Sequence, residues 1–203
     1  MKTIQQFICI FFILSGLQKV SAQTDYNMLY SIHIERNASL DGSFKVITHT
    51  PTYVMIASPL STGITGLIKK DKSLLQKASF QMIGIGINGI LTLSLKEIVS
   101  RDRPFVTYPE FNALTSAGSK SFPSGHTSSS FNIATSLSLC FPKWYVIAPS
   151  AIWASAVGYS RMHLGVHYPS DVLVGALIGS GTALGSYYLN NWLWKEQKPP
   201  IKR

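Results

Sequence analysis

Five long runs of this chain carry no Asp, Glu, Lys or Arg: 46–68, 78–95, 127–142, 144–160 and 172–194. A helix at the surface of a water-soluble domain keeps charges on its outer face, and none of these runs has one. Their lengths sit near or somewhat below the ~20 residues that cross a bilayer as a helix. The pattern predicts an all-α bundle of about five membrane-spanning helices, preceded by a polar stretch from Gln23 to Lys45. The runs are not uniformly apolar, and several score poorly on hydropathy alone. Residues 127–139 are rich in Ser, Thr and Asn, which suits a helix enclosed by others and lining a site. Gly175/Gly179 and Gly181/Gly185 are two small-x3-small pairs, read as points of close helix approach.

The charges between the runs set an orientation. With Lys69–Lys72, Lys77, Lys143 and the tail beyond Trp194 on one side, that side has nine basic residues and two acidic ones, whereas the other, leaving out Lys2 and Lys19 of residues 1–22, has seven of each. Cytoplasmic loops hold the excess of Lys and Arg, so the second side is expected to face outward. The formal charge of +9 is thereby read as a topology signal and not as a nucleic-acid footprint. Residues 1–22 read as a cleaved export signal, with Lys2, the apolar stretch from Phe7 to Leu17, and the small-residue site Val20-Ser21-Ala22. The alternative is an uncleaved first transmembrane helix, disfavoured by the short apolar core and by Gln18-Lys19. Cleavage leaves one domain over 23–203. With Cys9 in that signal, Cys140 stands alone and no internal disulfide is expected.

Chemistry-bearing residues cluster at three places, each beside an apolar run. Lys96 is followed by Arg103 and Pro104; Pro123-Ser124-Gly125-His126 precedes the third run; Ser160-Arg161 leads to His167 and Asp171. Lys96, Arg103 and Arg161 are three cations suited to phosphate oxygens, which Arg binds bidentately. Ser124 suits an N-cap and Gly125 a close backbone approach, so this helix start can hold an anion on its free amides. His167 and Asp171, four residues apart, share a helical face. A carboxylate on Nδ1–H would leave Nε2 free as a nucleophile.

The three motifs resemble those of the type-2 phosphatidic acid phosphatase superfamily: Lys-x6-Arg-Pro, Pro-Ser-Gly-His and Ser-Arg-x5-His-x3-Asp, complete here over roughly residues 30–190. The resemblance implies a catalytic set of His167, His126 and Asp171, with Lys96, Arg103, Ser124, Gly125 and Arg161 on the phosphate. His167 would attack phosphorus to form a phosphohistidine. His126 would protonate the leaving alkoxide and later activate water. The chemistry would use no metal and no other cofactor. The expected partners are a lipid phosphate and the membrane, with no nucleic acid and no obligatory protein partner. The expected setting is the bacterial cytoplasmic membrane, with the site facing the periplasm.

Candidate substrates are lipid A, phosphatidic acid, phosphatidylglycerol phosphate and undecaprenyl pyrophosphate, with lipid A or a polyprenyl lipid slightly favoured. The alternative is a soluble periplasmic acid phosphatase with the same motifs, disfavoured by the uncharged runs. Vanadate-dependent halide oxidation belongs to longer chains, and a non-enzymatic binder is hard to reconcile with the full catalytic set. Gly84-Ile-Gly86-Ile-Asn88-Gly89 matches a dinucleotide fingerprint but lacks the strand and acidic residue that motif needs. Among the remaining residues, His163 is read as pocket-lining or structural, His33 and His49 as preceding the motifs with no partner in sequence, and Arg101 and Asp102 as a surface ion pair.

Overall fold

A computed structural model describes residues 22–118 and 120–195. The export signal therefore falls almost wholly outside the described residues. Among these, all regular structure is helical: α1 (22–33), α2 (Asp41–Lys69), α3 (Lys72–Val99), the single turn α4 (Pro104–Thr107), α5 (Gly125–Cys140), α6 (Trp144–His163) and α7 (Pro169–Lys195). The five uncharged runs lie in α2, α3, α5, α6 and α7. The fingerprint match lies inside α3 with no strand before it.

Local chemistry explains the helix ends. Lys70 adopts a left-handed conformation and its N–H closes on the Gly66 and Leu67 carbonyls, ending α2. Asp71 then accepts the Ser73 and Leu74 amides and starts α3. A second left-handed residue, Ser100, stops α3 one turn past Lys96. The chain reverses there, and Pro104, placed where a helix tolerates a missing N–H, opens α4. This reversal brings Lys96 and Arg103 to the same end of the bundle.

Helix α5 is the central element, packed against α3, α6 and α7. As its composition predicts, Thr127, Ser128, Ser130, Asn132 and Ser136 are buried. Ser128 and Asn132 join hydrogen bonds across three helices: Thr92 Oγ1 to Ser128 Oγ at 3.1 Å, Asn88 Nδ2 to Ser128 Oγ at 3.4 Å, and Asn132 Nδ2 to Thr182 Oγ1 at 3.0 Å. Large apolar residues instead point outward, among them Leu60, Ile64, Ile90, Leu93, Leu173 and Leu177. Polar inside and apolar outside is the arrangement of a membrane bundle. Helices α3 and α7 are apolar enough to cross a bilayer by length and composition. Trp144 and Trp192 lie exposed toward the end away from the motifs, where interfacial aromatics belong.

Only one of the two glycine pairs makes a close contact within the chain. A Cβ on Gly175 would meet the Ser124 carbonyl oxygen at 2.8 Å, and one on Gly179 would meet that of Ser128 at 2.1 Å. A Cβ at Gly181 or Gly185 would meet nothing within 4 Å among the described residues, so the close-approach reading is corrected for that pair within those residues. Six residues along a helix turn the side chain to another face. Gly179→Ala forces α7 off α5, and overpacking of this kind costs about 1–3 kcal/mol. Thermal melts in detergent are expected to show a clear loss for Gly179→Ala and little change for Gly181→Ala.

Candidate active site

All three motifs meet at one end of the bundle, on the C-terminal ends of α3 and α6 and the N-terminal ends of α5 and α7. Arg161 NH1 donates to Thr48 Oγ1 of α2 at 2.5 Å, and the Ser124 amide donates to the Asp171 carbonyl at 3.0 Å. The Lys69–Lys72 turn is more than 20 helical residues from Thr48, about 30 Å away at the opposite end.

His167 sits in the tight connection between α6 and α7, fully enclosed. Its surroundings assign the tautomer. Arg103 NH1 lies 3.3 Å from Nε2, and an arginine can only donate, so Nε2 offers its lone pair. The proton is then on Nδ1, 3.5 Å from Asp171 Oδ2 and 3.4 Å from Ser121 Oγ. Burial pushes the imidazole pKa down to about 3, against the opposing pull of Asp171. A neutral ring with a lone pair beside a guanidinium is the state a nucleophile needs.

Asp171 has no exposed surface and is held from several sides. Oδ2 accepts the Ser121 hydroxyl at 2.5 Å and the Tyr168 amide at 3.0 Å, and Oδ1 accepts Arg101 NH1 at 2.9 Å. In the first turn of α7 it reaches back to the amide just before the helix, as the acidic half of a capping box does.

The three predicted cations converge. Lys96, Arg103 and Arg161 are buried or nearly so, and close enough to repel one another. Lys96 Nζ donates to the Lys120 carbonyl at 2.6 Å and Arg103 NH1 to the Val166 carbonyl at 2.7 Å. Arg161 Nε is buried with no hydrogen-bond partner among the described residues. Gathering like charges and leaving a buried donor unmet is costly unless an anion joins them.

Ser124 and Gly125 open α5 on the Lys96 side: a Cβ on Gly125 would lie 3.9 Å from Lys96 Cε. Ser124 has the backbone of an N-cap, yet its side chain caps no amide. Its Oγ accepts from Thr127 Oγ1 at 2.9 Å and keeps its own proton to give. The first-turn amides of α5 have no carbonyl of their own helix to reach. His126, half-buried, makes no hydrogen bond to the described residues and borders a cavity of about 410 Å³. That cavity lies between α2, α3 and α5, with Pro51, Met55, Ile85 and Leu93 on its walls and Lys96 and His126 at its polar end.

Other sequence readings change. Arg101 is partly buried and does not pair with Asp102: it pairs with Asp25 and Asp171 at 2.9 Å each, and the surface pair is Asp102 with Lys120, also at 2.9 Å. His33 has a partner, the His163 carbonyl at 2.8 Å from its Nδ1. His163 is structural, with Nε2 2.8 Å from Asp41 and its ring 4.4 Å from that of Phe44. His49 lies within electrostatic reach of His126. Part of the stretch read as polar is helix α1, whose Leu29 packs with Phe111 and Tyr168 beside the site. Asp25, Ser121 and Ser170 are further residues of this end that motif reading missed. The Tyr26, Leu29, His33 spacing was the available signal for α1.

The fold and the site define a helical membrane protein that gathers three cations and two histidines at one end of its bundle. The family model of the PAP2 superfamily matches residues 78–195. Undecaprenyl-diphosphatase BcrC of Bacillus subtilis is 29% identical over 156 residues, covering 76% of this chain and 77% of that one. A lipid A 1-phosphatase of Rhizobium johnstonii is 32% identical over 130 residues, 58% of this chain and 52% of that one. A solved transmembrane PAP2-type phosphatidylglycerolphosphate phosphatase from Bacillus subtilis superposes with a TM-score of 0.71 at 24% identity, covering 96% of each chain. The chain belongs to the PAP2 superfamily.

Proposed function

We propose that this chain is a membrane phosphatase that removes phosphate from a lipid monoester or pyrophosphate, using no metal and passing through a phosphohistidine on His167. The observation that carries the reading is the juxtaposition of His167 Nε2, three mutually repelling cations and an apolar-walled cavity. The cations neutralise the phosphoryl oxygens and the α5 amides complete the cradle, where positioned charge contributes most to phosphoryl transfer. His126, between cradle and cavity, stands where a leaving alkoxide needs a proton. The cavity is suited to the first part of an acyl or prenyl chain attached to that phosphate. The outward apolar faces argue against the soluble acid phosphatase reading.

Among lipid phosphates, undecaprenyl pyrophosphate and lipid A remain the favoured candidates, in keeping with the names of the relatives. Purified protein incubated with those two, phosphatidic acid and phosphatidylglycerol phosphate is expected to release inorganic phosphate from at least one. Release only from water-soluble esters would return the soluble-phosphatase reading.

The proposed setting is a bacterial cytoplasmic membrane with the site outward, after removal of residues 1–22. The charge asymmetry supports it, because the end opposite the site holds Lys69, Lys70, Lys72 and Lys143. A C-terminal fluorescent-protein fusion is expected to be bright and a C-terminal alkaline phosphatase fusion inactive. The reverse pattern would place the site on the cytoplasmic side.

A further inference from the structure

Two buried carboxylates share one guanidinium beside the nucleophile. Arg101 stands at a position the first motif leaves open. Its NH1 donates to Asp171 Oδ1 at 2.9 Å and to Ser170 Oγ at 2.8 Å, and its NH2 donates to Asp25 Oδ2 at 2.9 Å. The guanidinium carbon lies over the Tyr168 ring, 3.8 Å from its centre, a cation–π contact that helps to hold the arginine fork in place. Asp25, only 5% exposed, accepts the Ser170 amide at 2.9 Å, and also the Ser170 hydroxyl. It thus caps the first turn of α7 from a helix 145 residues away in sequence. Apart from the Arg101–Asp25 pair itself, these contacts all fall on 168–171, the segment next to His167.

We propose that Asp25 and Arg101 are positioning residues for the reaction: Asp25 clamps α1 onto the start of α7, and Arg101 carries that clamp to the carboxylate that orients the His167 ring. The proposal rests on His167 being the nucleophile. The geometry gives the clamp leverage. The His167 Nδ1 to Asp171 Oδ2 separation of 3.5 Å is longer than a good hydrogen bond. Whether the carboxylate takes that proton therefore depends on where Ser121, the Tyr168 amide and Arg101 hold it. A misplacement of about 1 Å at such a site costs about 10²-fold in rate. Loss of Arg101 also leaves Asp25 and Asp171 facing each other across Ser170 with no cation between them. Lys96, Arg103 and Arg161 are untouched by either change, so phosphate binding is retained.

The test uses the full chain in detergent micelles, with Asp25→Asn, Arg101→Gln, Arg101→Lys and the Asp25→Asn/Arg101→Gln double variant. Rates are taken per folded enzyme on 4-nitrophenyl phosphate and on the lipid phosphates above. The expected result is a fall in kcat of about 100-fold for Arg101→Gln and about 10-fold for Asp25→Asn, with KM within about twofold of wild type. The double variant is expected to be no worse than Arg101→Gln, because both act through one carboxylate. Arg101→Lys restores charge without the fork and is expected to recover part of the loss. The second readout needs no substrate: ¹⁵N spectra of labelled histidine, with His167 assigned by its absence in His167→Gln. Wild type is expected to show the Nδ1–H tautomer, and Asp25→Asn a tautomer mixture. Unchanged kcat together with an unchanged tautomer would overturn the proposal, as would a raised KM at constant kcat, which would make Arg101 a substrate ligand. Should Arg101→Gln fail to fold, Asp25→Asn decides alone. If wild type cleaves none of the esters, the phosphatase reading falls, and the ¹⁵N comparison still judges the clamp.

Discussion

His167→Ala is expected to abolish turnover on every substrate and to leave no phosphoenzyme. The ring presents a lone pair to Arg103, with Nε2 3.3 Å from the guanidinium. Alanine removes the nucleophile while leaving the three cations and the α5 cradle to bind phosphate. Loss of a covalent nucleophile in comparable enzymes costs about 10⁴–10⁶-fold, with residual catalysis coming from charge stabilisation alone. Binding of an unreactive phosphate ester is expected to survive, which separates loss of chemistry from loss of fold. Asp171→Asn is expected to be less severe in the same assay. It perturbs the tautomer without removing the ring, although the Ser121, Tyr168 and Arg101 contacts also depend on that carboxylate.

His126→Ala is expected to be selective by leaving group. The side chain has no hydrogen bond to the described residues, and it sits between the cradle and the apolar cavity. A lipid alkoxide or a pyrophosphate leaving group needs a proton as the bond to phosphorus breaks, and general-acid help is worth about 10²–10⁴-fold. Nitrophenolate leaves well without it. Rapid-quench measurement of enzyme phosphorylation is therefore expected to show a loss of that size on an alkyl phosphate and a much smaller one on 4-nitrophenyl phosphate. The phosphoenzyme is expected to accumulate in the variant, since water activation also uses His126. Equal losses on both leaving groups would show that His126 has another role.

Much of this site was legible because its parts are local. Lys96 to Arg103, Ser124 to His126 and His167 to Asp171 each lie within about two helical turns. Their spacing alone therefore relates the side chains once a helix end is recognised. The uncharged runs carried the helices for the same reason, and Ser124 marked the start of α5. What stayed hidden depends on contacts far apart in sequence. Arg101 meets Asp25 across 76 residues and Asp171 across 70, and no pattern of letters distinguishes it from its neighbour Asp102, which does lie at the surface. Helix α1 was missed because about three turns with one narrow apolar stripe among polar residues give a weak periodic signal. The two glycine pairs read alike, yet only Gly175 and Gly179 face α5. The helix's rotation about its own axis, set by packing, decides between them. Ser124 is a case of right place and different role, since its hydroxyl is turned to Thr127 and not to an amide of its own helix.

The most direct test is to trap the intermediate. Purified enzyme in excess EDTA, mixed briefly with a lipid phosphate labelled in its phosphoryl group and quenched in alkali, is expected to retain label in a linkage stable to base and labile to acid, on the peptide that contains His167. That result would show a histidine nucleophile working with cations of the chain alone. Loss of labelling and of phosphate release in EDTA, restored by magnesium, would contradict it.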